Sequence, residues 1–364
     1  MKLISAVHKA TLSFKDLHEL ILSSGSIEWN STIKYEVDVF EIIYWTNYLS
    51  INIRASGLLY LPRESKVSMP ILCLQHGTIF LKSEAPSLCI GFAGGELICS
   101  AGYIVIQSDY IGYGASSEYF HPYYDKNYGA SSVTDMILAS MQYVNDIKFK
   151  HNNKLFLAGY SEGGYITLAV QSHLEKSNDT NLSLQAIAAG AGGYDLFSLL
   201  AEFTTGTGSH VQPSYIVFLL MAYEYNFNWN KSLEYFFAKK YAELVPELMN
   251  GNYSSTYINF SLSNNLKELF NPDFYSNLMG SGEMDLKKAL FINSLSEWQP
   301  LSPLRLYHGT MDDVIPYSNT EITYQKFIAK GCKNIKFLSI PNGNHQTSKA
   351  PMIDSVIKWF KEFN

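Results

Sequence analysis

From Met69 onward the chain alternates between two kinds of segment. Short apolar runs end in polar or glycine residues: "PILCLQHG", "GYIVIQSDYIGYG", "NKLFLAGYS", "SLQAIAAGAGGYD", "PLRLYHGTMDD" and "NIKFLSIPNGNH". Between and after them lie stretches with helical spacing: "GGELICSA", "ASSVTDMILASMQYVNDI", "EGGYITLAVQSHLEK", "SNTEITYQKFIAKG" and "APMIDSVIKWFKEF". A wholly apolar run suits a strand covered on both faces, and helical crossovers are what parallel pairing requires. The alternation therefore predicts the α/β class, with a mostly parallel central sheet and helices on both faces. Upstream, "IKYEVDVFEIIYWT" and "INIRASGLLYLP" are rich in β-branched and aromatic residues and are joined by "NYLS". They predict a β-rich part at about 30–62, as a hairpin or short meander.

The rhythm breaks between about 195 and 300. That region is aromatic, tyrosine-rich and helical in pattern, and no polar linker sets it apart. It is expected to be a helical cap or lid inserted over the sheet within a single domain spanning 1–364. With 47% hydrophobic and 16% charged residues, a large core is available. The net charge of −6 without a lysine- or arginine-rich run argues against a nucleic-acid partner. The longest apolar stretches, such as "SYIVFLLMAYEY", are too short to cross a bilayer. The N-terminal "MKLISAVHKATLSF" is broken by His8 and Lys9 and makes a poor secretory signal, which leans the location toward the cytoplasm. Cys73, Cys89, Cys99 and Cys332 fit no zinc spacing. Cys73 is expected to be a buried thiol, and pairing of Cys89 with Cys99 is left open.

"GYSEG" carries the chemistry. Gly159, Ser161 and Gly163 match G-x-S-x-G, between a predicted strand and a predicted helix. In that setting the serine sits on a sharp turn that lifts its hydroxyl clear of the sheet. Gly159 and Gly163 are small because side chains there would meet the neighbouring strand and helix. The backbone N–H of Glu162, at the helix N-terminus, is a candidate oxyanion donor. The competing reading is a glycine-rich turn with an incidental serine. A nucleophilic serine needs a base, and the base an acid that orients it. Asp312 and Asp313 follow the predicted strand in "LRLYHGTMDDVIPY", and His345 follows the next one in "FLSIPNGNHQTS". All fall at C-terminal strand ends, the edge where ligands bind in open α/β sheets.

With these residues in place, the chain resembles the α/β-hydrolase family from about Ile33 onward. "HGTMDDVIP" looks like the family's acid loop and selects Asp312 over Asp313, with Asp195 in "GGYD" as a weaker alternative. "LQHGT" looks like the family's His-Gly oxyanion loop, which implies Thr78 as the second donor and a structural role for His76. "SDYIGYGAS" and "HPYYD" are similar to the secreted-lipase and esterase branch, related to prolyl-oligopeptidase-type hydrolase domains. There Asp109, Gly112 and Gly114 are expected to shape a loop. Glu162 departs from the glutamine often found in that branch.

The resemblance implies a carboxylic ester hydrolase with Ser161, His345 and Asp312 as its triad. It needs no metal or organic cofactor. Its partner is a small-molecule ester or lipid substrate, and the cap is a place where a lipid interface can be met. The alternatives are a prolyl-oligopeptidase-like peptidase, disfavoured because no propeller segment is evident, and a non-catalytic scaffold that binds a ligand under the cap. His121, His151, His173 and His210 have no acidic or cysteine neighbours at ligand spacing and are read as surface or core residues. "GFAGG", 91–95, lacks the spacing of a dinucleotide fingerprint. The tyrosines of 215–225 read as helix packing or as the lining of an acyl pocket.

Overall fold

The computed structural model describes residues 2–24, 32–91, 94–177, 180–205 and 212–363. His210 lies outside them. Nine strands form one sheet: β1 (Leu3–Leu12), β2 (Val37–Tyr48), β3 (Ile51–Pro62), β4 (Met69–Gln75), β5 (Ile104–Ser108), β6 (His151–Tyr160), β7 (Ser183–Gly190), β8 (Leu304–Gly309) and β9 (Ile335–Ile340). The spatial order is β1-β2-β3-β5-β4-β6-β7-β8-β9. From β5 to β9 every pairing is parallel. β1, β2 and β3 add an antiparallel flank that joins the rest through β3 and β5. The "NYLS" connection is the tight β2–β3 turn, with Leu49 and Ser50 at positive φ.

Residues 3–12 are an edge strand that the sequence reading does not find. Their burial does not alternate, because an edge strand packs irregularly and carries polar residues that discourage further pairing. Here Lys9 pairs with Glu41 and Thr11 donates to Asp38, both on β2.

The parallel strands are buried along almost their whole length, and alternate residues supply two separate cores. Ile71, Cys73, Leu155, Leu157, Ile187 and Ala189 face one core, which includes residues of the helices Lys126–Asp146 and Glu162–Ser177. Leu72, Leu74, Phe156, Ala158, Ala186 and Ala188 face the other, closed by the helices Phe14–Ser24 and Lys349–Phe360. Helices therefore cover both faces, as the apolar runs required. Cys73 is a buried thiol and all four cysteines are free, so Cys89 and Cys99 are not paired. Between β7 and β8 the described residues are helical, from Leu196–Thr205 through Met284–Asn293, with one isolated bridge between Phe237 and Phe270.

The parallel register aligns the strand ends. Gln75 pairs with Gly159, Gly159 with Ala189, Ala189 with Leu306 and Leu306 with Phe337. Thr78, Ser161, Asp312 and His345 all lie a few residues beyond that line, on one edge of the sheet.

Candidate active site

The elbow forms because β6 ends against its neighbours and the next helix starts at once. Ser161 has φ of 60°, a left-handed conformation that costs a non-glycine residue of order 1–3 kcal/mol. Its N–H donates to Gly190 O at 2.8 Å, and its carbonyl accepts from Gly164 N at 2.8 Å as the helix begins. The flanking glycines are required by close approach. A Cβ on Gly159 would run into the carbonyl group of Gly163, and one on Gly163 into the carbonyl oxygens of Gln75 and His76.

The structure brings three of the sequence-predicted residues together. Ser161 Oγ lies 2.9 Å from His345 Nε2. His345 Nδ1 lies 2.8 Å from Asp312 Oδ2 and 3.0 Å from Oδ1. The Asp312 side chain is fully buried, and Oδ1 accepts from the N–H groups of Val314 and Ile315 at 2.9 Å each. Burial alone would raise this carboxyl group. Hydrogen bonds and charge from His308 and His345 outweigh it and hold Asp312 well below the usual aspartate range.

The other acidic candidates do other things. Asp313 accepts from the backbone N–H of His345 at 3.2 Å. Asp195 is bound by Lys326 at 2.6 Å and by the Ser296 hydroxyl at 2.8 Å. Thr78 shares a hydrogen bond between its Oγ1 and Tyr123 OH, 3.1 Å. Beside it, Gly77 lies against the elbow, where a Cβ would make ordinary contact with Ser161 Cβ at 3.5 Å. His76 is held by Gly77 O and Asp109 O, and burial lowers its pKa. Asp109 accepts from Ser56 Oγ at 2.5 Å and from Ser87 N at 2.8 Å, and Gly114, with φ of 52°, fits beneath it.

Sequence reasoning missed His308. Its ring is fully buried; Nε2 lies 2.9 Å from Ile315 O and 3.2 Å from Asp312 Oδ2, and Nδ1 lies 2.6 Å from Thr320 Oγ1. Ile315 O only accepts, so Nε2 carries the proton. His308 thereby clamps the acid loop from behind. The available signal was the histidine of "YHGTMD", four residues before the acid. His121 was read as a core or surface residue; it is 5% exposed and contacts Glu162.

Two pockets meet at Ser161. One, about 70 Å³ and mostly apolar, is lined by Ser161, Tyr124, Leu196, Leu199, Tyr215, Ile216 and Leu219. A second apolar cavity of similar size among the inserted helices shares Leu196, Leu199, Ile216 and Leu219 with it as walls. On the other side, a more polar cleft of about 370 Å³ is lined by Thr78, Glu84, Gln107, His345, Gln346 and Lys349.

The family model for secretory lipases matches residues 96–363. The chain belongs to the secretory lipase family. This lipase-family chain is accordingly a carboxylic ester hydrolase with the α/β-hydrolase fold. No curated protein matches it. Among solved structures, it is similar to a hydrolase of Legionella pneumophila, at 25% identity over 100% of this chain and 98% of that one, with a TM-score of 0.90. The rice cell wall degrading esterase LipA of Xanthomonas oryzae is 24% identical over 95% of this chain and 92% of that one, TM-score 0.84. Candida antarctica lipase A is 15% identical over 94% and 77%, TM-score 0.67. The last two likenesses speak for the fold alone. No helix among the described residues is long and apolar enough to cross a membrane. The leaning toward the cytoplasm drawn from the first residues finds no support in a family described as secretory.

Proposed function

We propose that the chain hydrolyses carboxylic esters through Ser161, His345 and Asp312. The observation that carries this reading is the unbroken path from Ser161 Oγ to His345 Nε2 and from His345 Nδ1 to Asp312. Ser161 Oγ attacks the ester carbonyl carbon while His345 Nε2 takes its proton. Asp312 holds the imidazole in the required tautomer and stabilises the imidazolium. The backbone N–H groups of Thr78 and Glu162 bind the tetrahedral oxyanion, the latter as an unsatisfied donor of the first helical turn. Collapse expels the alcohol, which takes the proton from His345. Water then attacks the acyl-enzyme with His345 as base and frees the acid.

In this reading the helices of about 195–300 form a cap over the site. The apolar pocket and the cavity that shares its wall take the acyl chain, and the polar cleft receives the alcohol. The linings support that division, since an alkyl chain gains by entering apolar surroundings and an alcohol keeps hydrogen bonds in polar ones. The substrate is a small-molecule ester or lipid, met from solution or from a lipid interface through the cap. The family supports an exported enzyme.

An organophosphonate serine probe tests the triad. Wild type is expected to label at Ser161, while Ser161→Ala does not label and His345→Ala labels far more slowly. An unlabelled, folded wild type would overturn the reading. p-Nitrophenyl esters of rising acyl length, run beside a proline-containing peptide, test the substrate; peptide turnover without ester turnover would refute it.

A further inference from the structure

Glu162 stands where its side chain ought to oppose the chemistry. Its backbone N–H is assigned above to the oxyanion, and the residue is 1% exposed. An unpaired carboxylate buried so near would repel the charge that the donors hold. The structure supplies a counterpart in His121, whose Nε2 lies 2.6 Å from Glu162 Oε1. Its other ring nitrogen, Nδ1, lies 2.7 Å from the carbonyl oxygen of Ile111. A carbonyl only accepts, so Nδ1 carries a proton. Nε2 and Oε1 then need one proton between them, because two bare acceptors do not approach to hydrogen-bond distance. Whether the pair is imidazolium with carboxylate or imidazole with carboxylic acid, it has no net charge.

The same pair is tied to both sides of the oxyanion site. Gly112, with φ of 95°, lets the chain pass under His121, where a Cβ would sit 2.7 Å from His121 N. The His121 ring packs among Tyr113 at 5.0 Å, Phe218 at 5.8 Å and Tyr110 at 6.0 Å between centroids. Tyr110 in turn stacks on His76 at 4.0 Å and donates to its carbonyl oxygen at 3.0 Å. One aromatic block thus anchors the Glu162 segment through His121 and the Thr78 segment through His76 and Tyr123.

We propose that His121 and Glu162 form a net-neutral, proton-sharing pair that positions the oxyanion donors and keeps negative charge away from them. The proposal rests on the triad reading above. His121 and the Glu162 side chain are positioning groups, since only the Glu162 backbone N–H meets the reacting atoms. The other titratable groups that face Glu162 are His76 beyond β4, Tyr110, Tyr113, Tyr123 and Tyr124 beyond β5, Tyr165 in the helix and Tyr215 in the inserted helices. Burial pushes the tyrosine hydroxyls up and the His76 imidazole down.

The test compares Glu162→Gln with Glu162→Leu. The glutamine amide donates to His121 Nε2 and keeps the pair neutral, so kcat is expected to stay about tenfold or more above that of the leucine variant. The leucine leaves Nε2 unpartnered and frees the elbow, so kcat is expected to fall about tenfold to hundredfold with a much smaller change in KM. A purely structural role would not confine the loss to kcat, nor be rescued by the one variant that restores the hydrogen bond to His121. The proposal is overturned if folded Gln and Leu variants have equal kcat, or if the loss in the leucine variant falls on KM rather than kcat. If the leucine variant does not fold, Glu162→Met, which also has no donor for His121 Nε2, replaces it under the same criteria. Probe labelling of wild-type Ser161 keeps the two readings apart, because no result at Glu162 leaves the wild type unlabelled.

Discussion

Asp312→Asn is the sharpest perturbation of the triad reading, because the geometry around each oxygen fixes its outcome. In the wild type, Asp312 Oδ1 accepts from Val314 N and Ile315 N, and Oδ2 faces His345 Nδ1 at 2.8 Å and His308 Nε2 at 3.2 Å. An asparagine keeps its oxygen on the two backbone donors and turns its NH₂ toward the two rings. His345 must then offer a lone pair at Nδ1, so its proton moves to Nε2, the atom that has to accept from Ser161. A tautomer switch of this kind lowers kcat of a serine hydrolase by about 10⁴-fold. The NH₂ also confronts the Nε2–H that His308 gives to Ile315 O, which leaves a buried donor unsatisfied and costs about 1–3 kcal/mol. The assay is p-nitrophenyl ester turnover beside thermal unfolding, with Asp313→Asn as the control. In that control the amide oxygen still accepts from the His345 backbone N–H, so turnover is expected within about threefold of wild type. Turnover by Asp312→Asn within about tenfold of wild type, or a larger loss at Asp313 than at Asp312, would refute the assignment.

The same carboxylate predicts a pH dependence. Its folded pKa lies well below the ordinary 3.8, so its contribution to stability is present above the ordinary value and is lost as the pH falls from there through the folded pKa; the Tm difference between wild type and Asp312→Asn should hold near neutral pH and shrink as the pH falls below 3.8, and a constant difference would contradict the sign. Gly163→Ala drives a Cβ into Gln75 O and to 2.7 Å from His76 O. Restoring ordinary C···O approaches moves the elbow by about 1 Å, so kcat should drop about a hundredfold and Tm should fall, whereas wild-type kinetics would argue against a tight elbow. Leu219→Trp fills space at the wall shared by the two apolar pockets, and kcat/KM for long acyl chains should fall about tenfold relative to short ones; an unchanged chain-length profile would remove the acyl assignment.

Much of the fold was legible because its signals are local. An apolar run followed by helical spacing marks a strand and its crossover wherever it occurs, and six such runs became β4 to β9. β1 was not legible, since an edge strand is defined by the partner it lies against and its own residues 3–12 keep no period. The elbow was legible for a steric reason: only glycine fits where Gly159 and Gly163 meet backbone carbonyls.

The sequence by itself determined the strand ends and therefore the edge of the sheet on which Ser161, Asp312 and His345 fall. It also reduced the acid to a few candidates. Only the tertiary structure decided their contacts. Ser161 and His345 are 184 residues apart and meet at 2.9 Å because parallel register brings the ends of separate strands to one line. The chemical partner of Glu162 belongs to the same class of fact. Nothing within helical or strand spacing of that glutamate announces His121, 41 residues earlier. The pairing arises because the loop beyond β5 folds back over the first turn of the helix that follows β6, and a buried carboxyl group accepts such a position only where a proton and a donor are waiting for it.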